Sequence, residues 1–319
     1  MNIFKLENWP PRWIFMGTPE FAVPVLKEVS SAIGPPVLVV CQPDRPKGRG
    51  LALSPPPVKA AAIEMGVQVV QPGKANEPGF VDSIRCLKPD VILVAAYGMI
   101  LSAEFLAIPA AGCLNVHASL LPKYRGAAPI NWAIVNGERI TGVSVQKMVR
   151  ELDAGAILLK KETEIGENEN AQELYGRLSL LGAKVAGDTL LLARDGIAAE
   201  PQDDARVTRA PMMKKEDGRI DWTLPARDLH NRVRGFYPWP GAYTVFKDKA
   251  LKLHRTRFSD SGLHAEPGEV ACTVADSISV GTGSGILDIL ELQIEGGKRL
   301  SASEFARGHR ILAGLRFKV

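Results

Sequence analysis

Trp13-Ile14-Phe15-Met16-Gly17-Thr18-Pro19-Glu20 is an apolar run that breaks into a turn, with a helical pattern starting at Glu20. The unit recurs. Apolar runs at residues 37–41, 67–70, 91–95 and 113–116 alternate with helical segments such as 20–31 and 80–87. Strands that are apolar at nearly every position must be covered on both faces, so the pattern predicts an α/β, doubly wound, mostly parallel sheet between helices. Two β-rich runs follow at 142–148 and 157–165. A helical pattern over 171–194 then places Leu174, Leu178, Leu181, Val185, Thr189 and Leu192 on one face.

Past residue 196 the hydrophobic period disappears, and a polar stretch with Pro201, Gln202, Asp203, Asp204, Arg206, Arg209 and Pro211 reads as a linker. Beyond it, one helical segment at 225–234 precedes short runs at 242–246, 251–254, 269–274 and 286–292, punctuated by glycine, which predict a small β-barrel. The organisation expected is therefore an extension over 1–12, a first domain over 13–196, a linker over 197–214 and a second domain over 215–319. Residues 1–12 carry Glu7 and two prolines with no apolar run, and read as a disordered extension or the product of a mistaken initiation site.

A chain of 319 residues exceeds one ordinary domain, in agreement with two. The 39 Lys+Arg against 35 Asp+Glu leave net +4, too mild for a polybasic protein, and residues 215–319 hold +3 of it (16 against 13). Cys41, Cys86, Cys113 and Cys272 form no C-x-x-C pair, so neither a metal site nor a disulfide framework is expected, and a reducing, cytoplasmic setting fits. No stretch approaches the roughly twenty apolar residues needed to span a bilayer.

Motifs narrow the chemistry. The turn at Gly17 lacks the second and third glycines of a dinucleotide fingerprint, and Gly48-Arg49-Gly50 lacks the Lys-Ser/Thr end of a phosphate loop. Gly281-Thr282-Gly283-Ser284-Gly285 reads as a hairpin turn. In Asn115-Val116-His117-Ala118-Ser119-Leu120-Leu121-Pro122, a buried strand runs out into a loop. Residues two apart on a strand share a face, so Asn115 and His117 point together at the carboxyl end of the sheet, where such folds bind ligands. Asp153, in the turn Leu152-Asp153-Ala154-Gly155, is a third candidate. No Ser or Cys is tied to the histidine as a nucleophile, so the trio suits direct acyl transfer between two bound substrates.

The segments Phe15-Met16-Gly17-Thr18-Pro19-Glu20-Phe21, Gln42-Pro43-Asp44-Arg45-Pro46-Lys47-Gly48-Arg49-Gly50, residues 117–129, Asp217-Gly218-Arg219-Ile220-Asp221-Trp222 and Arg234-Gly235-Phe236-Tyr237-Pro238-Trp239-Pro240-Gly241-Ala242 resemble the methionyl-tRNA formyltransferase family. The likeness runs from about residue 13 to the end. It implies a Rossmann-like catalytic domain, an OB-like C-terminal barrel, and a formyl group passed from 10-formyltetrahydrofolate to the amine of initiator methionyl-tRNA. Asn115, His117 and Asp153 match that family's catalytic trio, and Ser119, Leu120, Leu121 and Pro122 its folate-contacting segment. The implied mechanism has Asn115 and protonated His117 donating to the developing oxyanion while Asp153 orients the ring. Around the carboxylate, Val149-Arg150-Glu151 and Ala154-Gly155-Ala156 depart from the family's usual acidic residue and Gly before Leu-Asp, then Thr-Gly-Asp.

Arg45, Lys47 and Arg49 sit in a Gly- and Pro-rich segment and are expected at the acceptor end of the tRNA. Lys247, Lys249, Lys252, Arg255 and Arg257 are expected to track phosphates on its stem. The protein is expected to be a monomer, with no metal and no membrane partner. Two alternatives compete: a folate-dependent formyltransferase acting on an amino sugar nucleotide, which would not need the basic segment, and a non-catalytic RNA-binding protein, which would not need the trio.

Overall fold

The computed structural model describes residues 2–47, 52–259, 262–274 and 276–318. The chain divides into two compact units. The first comprises residues 1–126, 141–163 and 175–210, and the second 127–140, 164–174 and 211–319.

In the first unit a seven-stranded sheet runs, in spatial order, Ile157–Glu164, Ile140–Lys147, Cys113–His117, Val91–Ala95, Trp13–Gly17, Leu38–Val40, Val69–Val70. The pairs from Cys113–His117 through Val69–Val70 are parallel, and Ile140–Lys147 joins antiparallel. Order reverses at Trp13–Gly17, which puts a crevice at the carboxyl ends of the central strands. Both faces are dry. Ile14, Met16, Leu38, Val40, Ile92 and Val94 belong to one apolar cluster with Val81, Ile84 and Phe105, while Trp13, Phe15, Val39 and Leu93, the alternate positions, are buried too. This is why the strands carry no polar alternation.

Three readings change. Residues 2–12 are ordered: Asn2–Phe4 pairs antiparallel with Ile197–Ala199, Phe4 and Leu6 are buried, and Asp90 accepts from Asn8 and from the Arg12 backbone. Short apolar residues among polar ones gave no period, yet two buried side chains and a ladder suffice to fix the segment. The helix forms at Ala171–Ala193, but Leu192 is half exposed, and Leu190 and Ala193 are buried instead. Heptad spacing from Leu178 through Val185 drifts about 20° per step against the helical period, and by Leu192 it has left the buried arc. Finally, the polar stretch after residue 196 contains the Ile197–Ala199 strand and an Arg209–Ala210 strand parallel to Arg125–Gly126. Ladders of backbone amides need no hydrophobic pattern.

The second unit carries antiparallel strands in the order Ala242–Phe246, Lys249–Ser259, Ile286–Ile294, Ser277–Gly281, Val270–Val274, with Leu300–Ser301 beside Ile286–Ile294. Gly281 pairs with Ile286, so the glycine-rich segment between them is a hairpin turn. The core gathers Trp222, Leu229, Val233, Phe246, Leu251, Leu253, Ile289 and Phe305. Helix Pro129–Val135 packs on helix Ala226–Gly235, where a side chain at Gly235 would stand 2.6 Å from Val135. Among the described residues no helix is long and apolar enough to cross a membrane.

Candidate active site

The register of the antiparallel pair builds the site. Gln146 lies opposite Asn115 and Ser144 opposite His117, so all four side chains share one face at the carboxyl end of the Cys113–His117 strand. Asp153 reaches the same place from the turn that follows. Its backbone is left-handed (φ 53°), a conformation that Asp tolerates, and the carboxylate folds back onto the strand ends.

That carboxylate is 8% exposed and well held. Oδ2 accepts from the Gly126 backbone N–H at 2.9 Å, and Oδ1 accepts from the Gln146 amide at 3.0 Å and more loosely from Asn115 at 3.4 Å. His117, itself 6% exposed, directs Nε2 to the Tyr124 carbonyl at 2.9 Å. A carbonyl only accepts, so Nε2 carries a proton. Nδ1 then faces Asp153 Oδ2 at 3.7 Å, longer than a hydrogen bond.

Two glycines make the geometry possible. At Gly155 a side chain would lie 1.6 Å from the Lys147 carbonyl, so the turn could not close onto the strand. Gly126 has φ 127°, and its missing side chain leaves room for the Ala210 carbonyl, 2.5 Å from where a Cβ would stand. The stretch read as a linker contributes as well. Thr208 holds the backbone N–H groups of Tyr124 and Arg125, at 2.8 and 2.9 Å, and Gln202 donates to the carbonyls of Asp153 and Gly155, both at 2.8 Å.

The structure thus brings Asn115, His117 and Asp153 together, and adds Gln146, Gln202, Gly126 and Thr208, which sequence reading passed over. One signal was available: Ser144 and Gln146 are polar residues two apart in an otherwise apolar run, and buried polar residues are the informative ones. Ser119–Pro122 follows directly. Ser144 Oγ donates to the Ser119 carbonyl at 2.8 Å and accepts from the Leu121 N–H at 3.1 Å, which pins the segment; Ser119 and Leu121 are buried and Leu120 and Pro122 half-buried.

The basic candidates occupy both units. Arg45 is exposed and donates to Gln42 at 2.7 Å, Lys47 ends the strand Arg45–Lys47, and Arg49 lies outside the described residues. Lys59, in the helix Pro57–Glu64 that follows, donates to Asp44 at 2.8 Å. In the second unit Lys247, Lys249 and Lys252 are exposed. Arg255 pairs across the strands with Glu291 at 3.2 Å, and Arg257 with Asp288 at 3.1 Å and Asp276 at 3.5 Å. These arginines line a cleft of about 630 Å³ together with His230, Arg234 and His254. No group of His, Cys, Asp and Glu suited to a metal occurs among the described residues.

Comparison with known proteins agrees with this architecture. A family model described as formyl transferase matches residues 12–190, and one for the formyl transferase C-terminal domain matches 212–310. Methionyl-tRNA formyltransferase of Geobacter sulfurreducens is 51% identical over 306 residues, 96% of both chains. That of Ruminiclostridium cellulolyticum is 45% identical over 304 residues, covering 94% of this chain and 97% of its own. Among solved structures, a Helicobacter canadensis N-formyltransferase bound to folinic acid and dTDP-3-aminofucose superposes with TM-score 0.68 at 16% identity, over 88% of this chain and 98% of that one. Likeness at that identity speaks to the fold alone.

Proposed function

The chain belongs to the formyl transferase family, and from that premise we propose how its residues pass a formyl group from 10-formyltetrahydrofolate to the amine of methionyl-tRNA. The product is formylmethionyl-tRNA, used to begin translation, and the work is cytoplasmic. The observation that carries this reading of the acceptor is the near-full-length likeness to methionyl-tRNA formyltransferases, across both units.

10-Formyltetrahydrofolate supplies the formyl carbon. Leu120 and Pro122, half-buried on a pinned segment, offer the apolar surface that a flat pterin ring needs, and the polar pair Asn115 and His117 precedes them on the same stretch. When the amine attacks, charge develops on the formyl oxygen. Asn115 suits it: an amide has two N–H donors, and only one is engaged, loosely, by Asp153. His117 moves a proton at Nδ1, because Nε2 is committed to the Tyr124 carbonyl. Nδ1 is not closed by a hydrogen bond, so it is free to take the proton of the attacking amine or to present one to the oxygen, with the Asp153 charge beside it. The tetrahydrofolate nitrogen leaves with a proton.

For the acceptor, Arg45, Lys47 and Arg49 are assigned to the tRNA end, and Lys247, Lys249 and Lys252, in the second unit, to phosphates of the stem. Arg255 and Arg257 have acidic partners to give up first, so their contribution is smaller. Parallel assays with 10-formyltetrahydrofolate and either charged initiator tRNA or an amino sugar nucleotide test the reading. Formylation of the tRNA is expected. Efficient formylation of the sugar alone would transfer the assignment to a sugar-nucleotide enzyme, and no transfer to either would favour a non-catalytic RNA-binding role.

A further inference from the structure

A branched run of hydrogen bonds leads from a buried arginine to the Asp153 carboxylate. Arg125, 6% exposed, donates from Nε to Gln202 Oε1 at 2.9 Å. Gln202 Nε2 has two hydrogens for the Asp153 and Gly155 carbonyls at 2.8 Å and shares one of them with Gln146 Oε1 at 3.2 Å, and Gln146 Nε2 donates to Asp153 Oδ1 at 3.0 Å. The two ends set the direction. A guanidinium only donates and a carboxylate only accepts, so each glutamine must receive at oxygen and give at nitrogen, and neither amide can turn over without breaking at least two bonds. Bonds aligned in this way polarise one another in a low-dielectric interior.

We propose that Gln146 and Gln202 are positioning residues that fix the Asp153 carboxylate for the reaction. The proposal rests on the reading of Asp153 as a member of the catalytic trio. Asp153 needs such support because it sits on a left-handed turn residue, and the Gly126 N–H holds its carboxylate at Oδ2 alone. Gln202 fastens the turn itself through the carbonyls of Asp153 and Gly155, while Gln146 sets the rotation of the carboxylate. With Oδ1 taken by Gln146, Oδ2 is the oxygen left facing His117 Nδ1. Without Gln146, the remaining side-chain donor to Oδ1 is Asn115, so the carboxylate would draw on the amide required at the formyl oxygen.

A double-mutant cycle on the full-length enzyme tests this. Gln146→Met keeps the length of the side chain and removes the amide. It is expected to lower kcat about tenfold, with KM for 10-formyltetrahydrofolate changed less than twofold and the melting temperature preserved. In an Asp153→Asn background, Gln146→Met should lower kcat no further. Gln202→Glu is the second arm: it still accepts from Arg125 but cannot donate to Gln146 or to the turn, and it should show the same non-additivity. Equal losses with and without Asp153, or a Gln146→Met enzyme with undiminished kcat, would overturn the proposal. If Asp153→Asn itself kept full turnover, the trio reading would fall together with the relay, whereas additive losses would remove the relay alone.

Discussion

The two units each bury a histidine beside a backbone carbonyl, and the two differ in what meets the second ring nitrogen. His117 Nε2 lies 2.9 Å from the Tyr124 carbonyl and His230 Nε2 lies 3.2 Å from the Glu167 carbonyl, so both rings carry a proton there. They differ at Nδ1. In His230 that nitrogen accepts from the Thr256 hydroxyl at 3.0 Å, which completes a neutral ring with nothing left to exchange, and burial lowers its affinity for a second proton. In His117 it faces a carboxylate across 3.7 Å, with no hydroxyl to close it. Burial and one backbone bond are common to a structural and a candidate catalytic histidine; the partner of the second nitrogen separates them.

The largest test of this contrast is catalytic. His117→Ala, Asn115→Ala and Asp153→Asn should each lower kcat by about 10²–10³-fold, the scale of a lost transition-state donor. His230→Ala should leave kcat within about threefold, even at a cost in stability. Steady-state formylation rates, with circular dichroism as the folding control, read both, and a comparable kcat loss in the His230 variant would erase the distinction.

The exposed cations extend the comparison to the acceptor. Replacing Lys247, Lys249 and Lys252 together should weaken binding of every tRNA and flatten the dependence of log K on log salt by about 0.7–0.9 for each phosphate no longer neutralised. Arg255→Ala and Arg257→Ala should do less, since Glu291 and Asp288 already neutralise those side chains. Arg45→Ala should instead depress kcat/KM for the initiator selectively. Filter binding over a salt series, beside kinetics on two tRNAs, separates the outcomes.

Acid should find His230 next. Its folded pKa is lowered from 6.5, chiefly by burial, so the unfolded chain binds the proton more readily. The stability that this neutral ring provides is present above about pH 6.5 and is lost as the pH falls below it. His254, also lowered by burial, acts in the same direction. Thermal melts from pH 7.5 to 5 should show a falling midpoint that is shallower in His230→Gln; an identical slope would mean that the ring protonates freely in the folded state.

The smallest effect concerns thiols. Burial pushes Cys41 up to about 11 and Cys113 up to about 12, whereas Cys86 is exposed. A thiol reagent at pH 8 should therefore label Cys86 on native protein well before Cys41 or Cys113. Mass spectrometry of the digested adducts gives the order.

The strands of the central sheet are legible in the sequence, because residues covered on both faces must be apolar at nearly every position and the runs at 13–16 and 91–95 are apolar throughout. The sequence also placed Asn115 and His117 together, since two residues apart on a strand is a statement about one face. What tertiary structure decided was everything that depends on register and on long loops. Only strand pairing sets Gln146 opposite Asn115, and only the return of residues 202–210 to the strand ends brings Gln202 to the Asp153 turn and Thr208 to the backbone beside His117. The same holds for Arg255 and Arg257, which read as free cations in the sequence and meet their acids on the neighbouring strand. Local periodicity reports which side of an element is buried; hydrogen bonds between groups 49 to 84 residues apart leave no period to read.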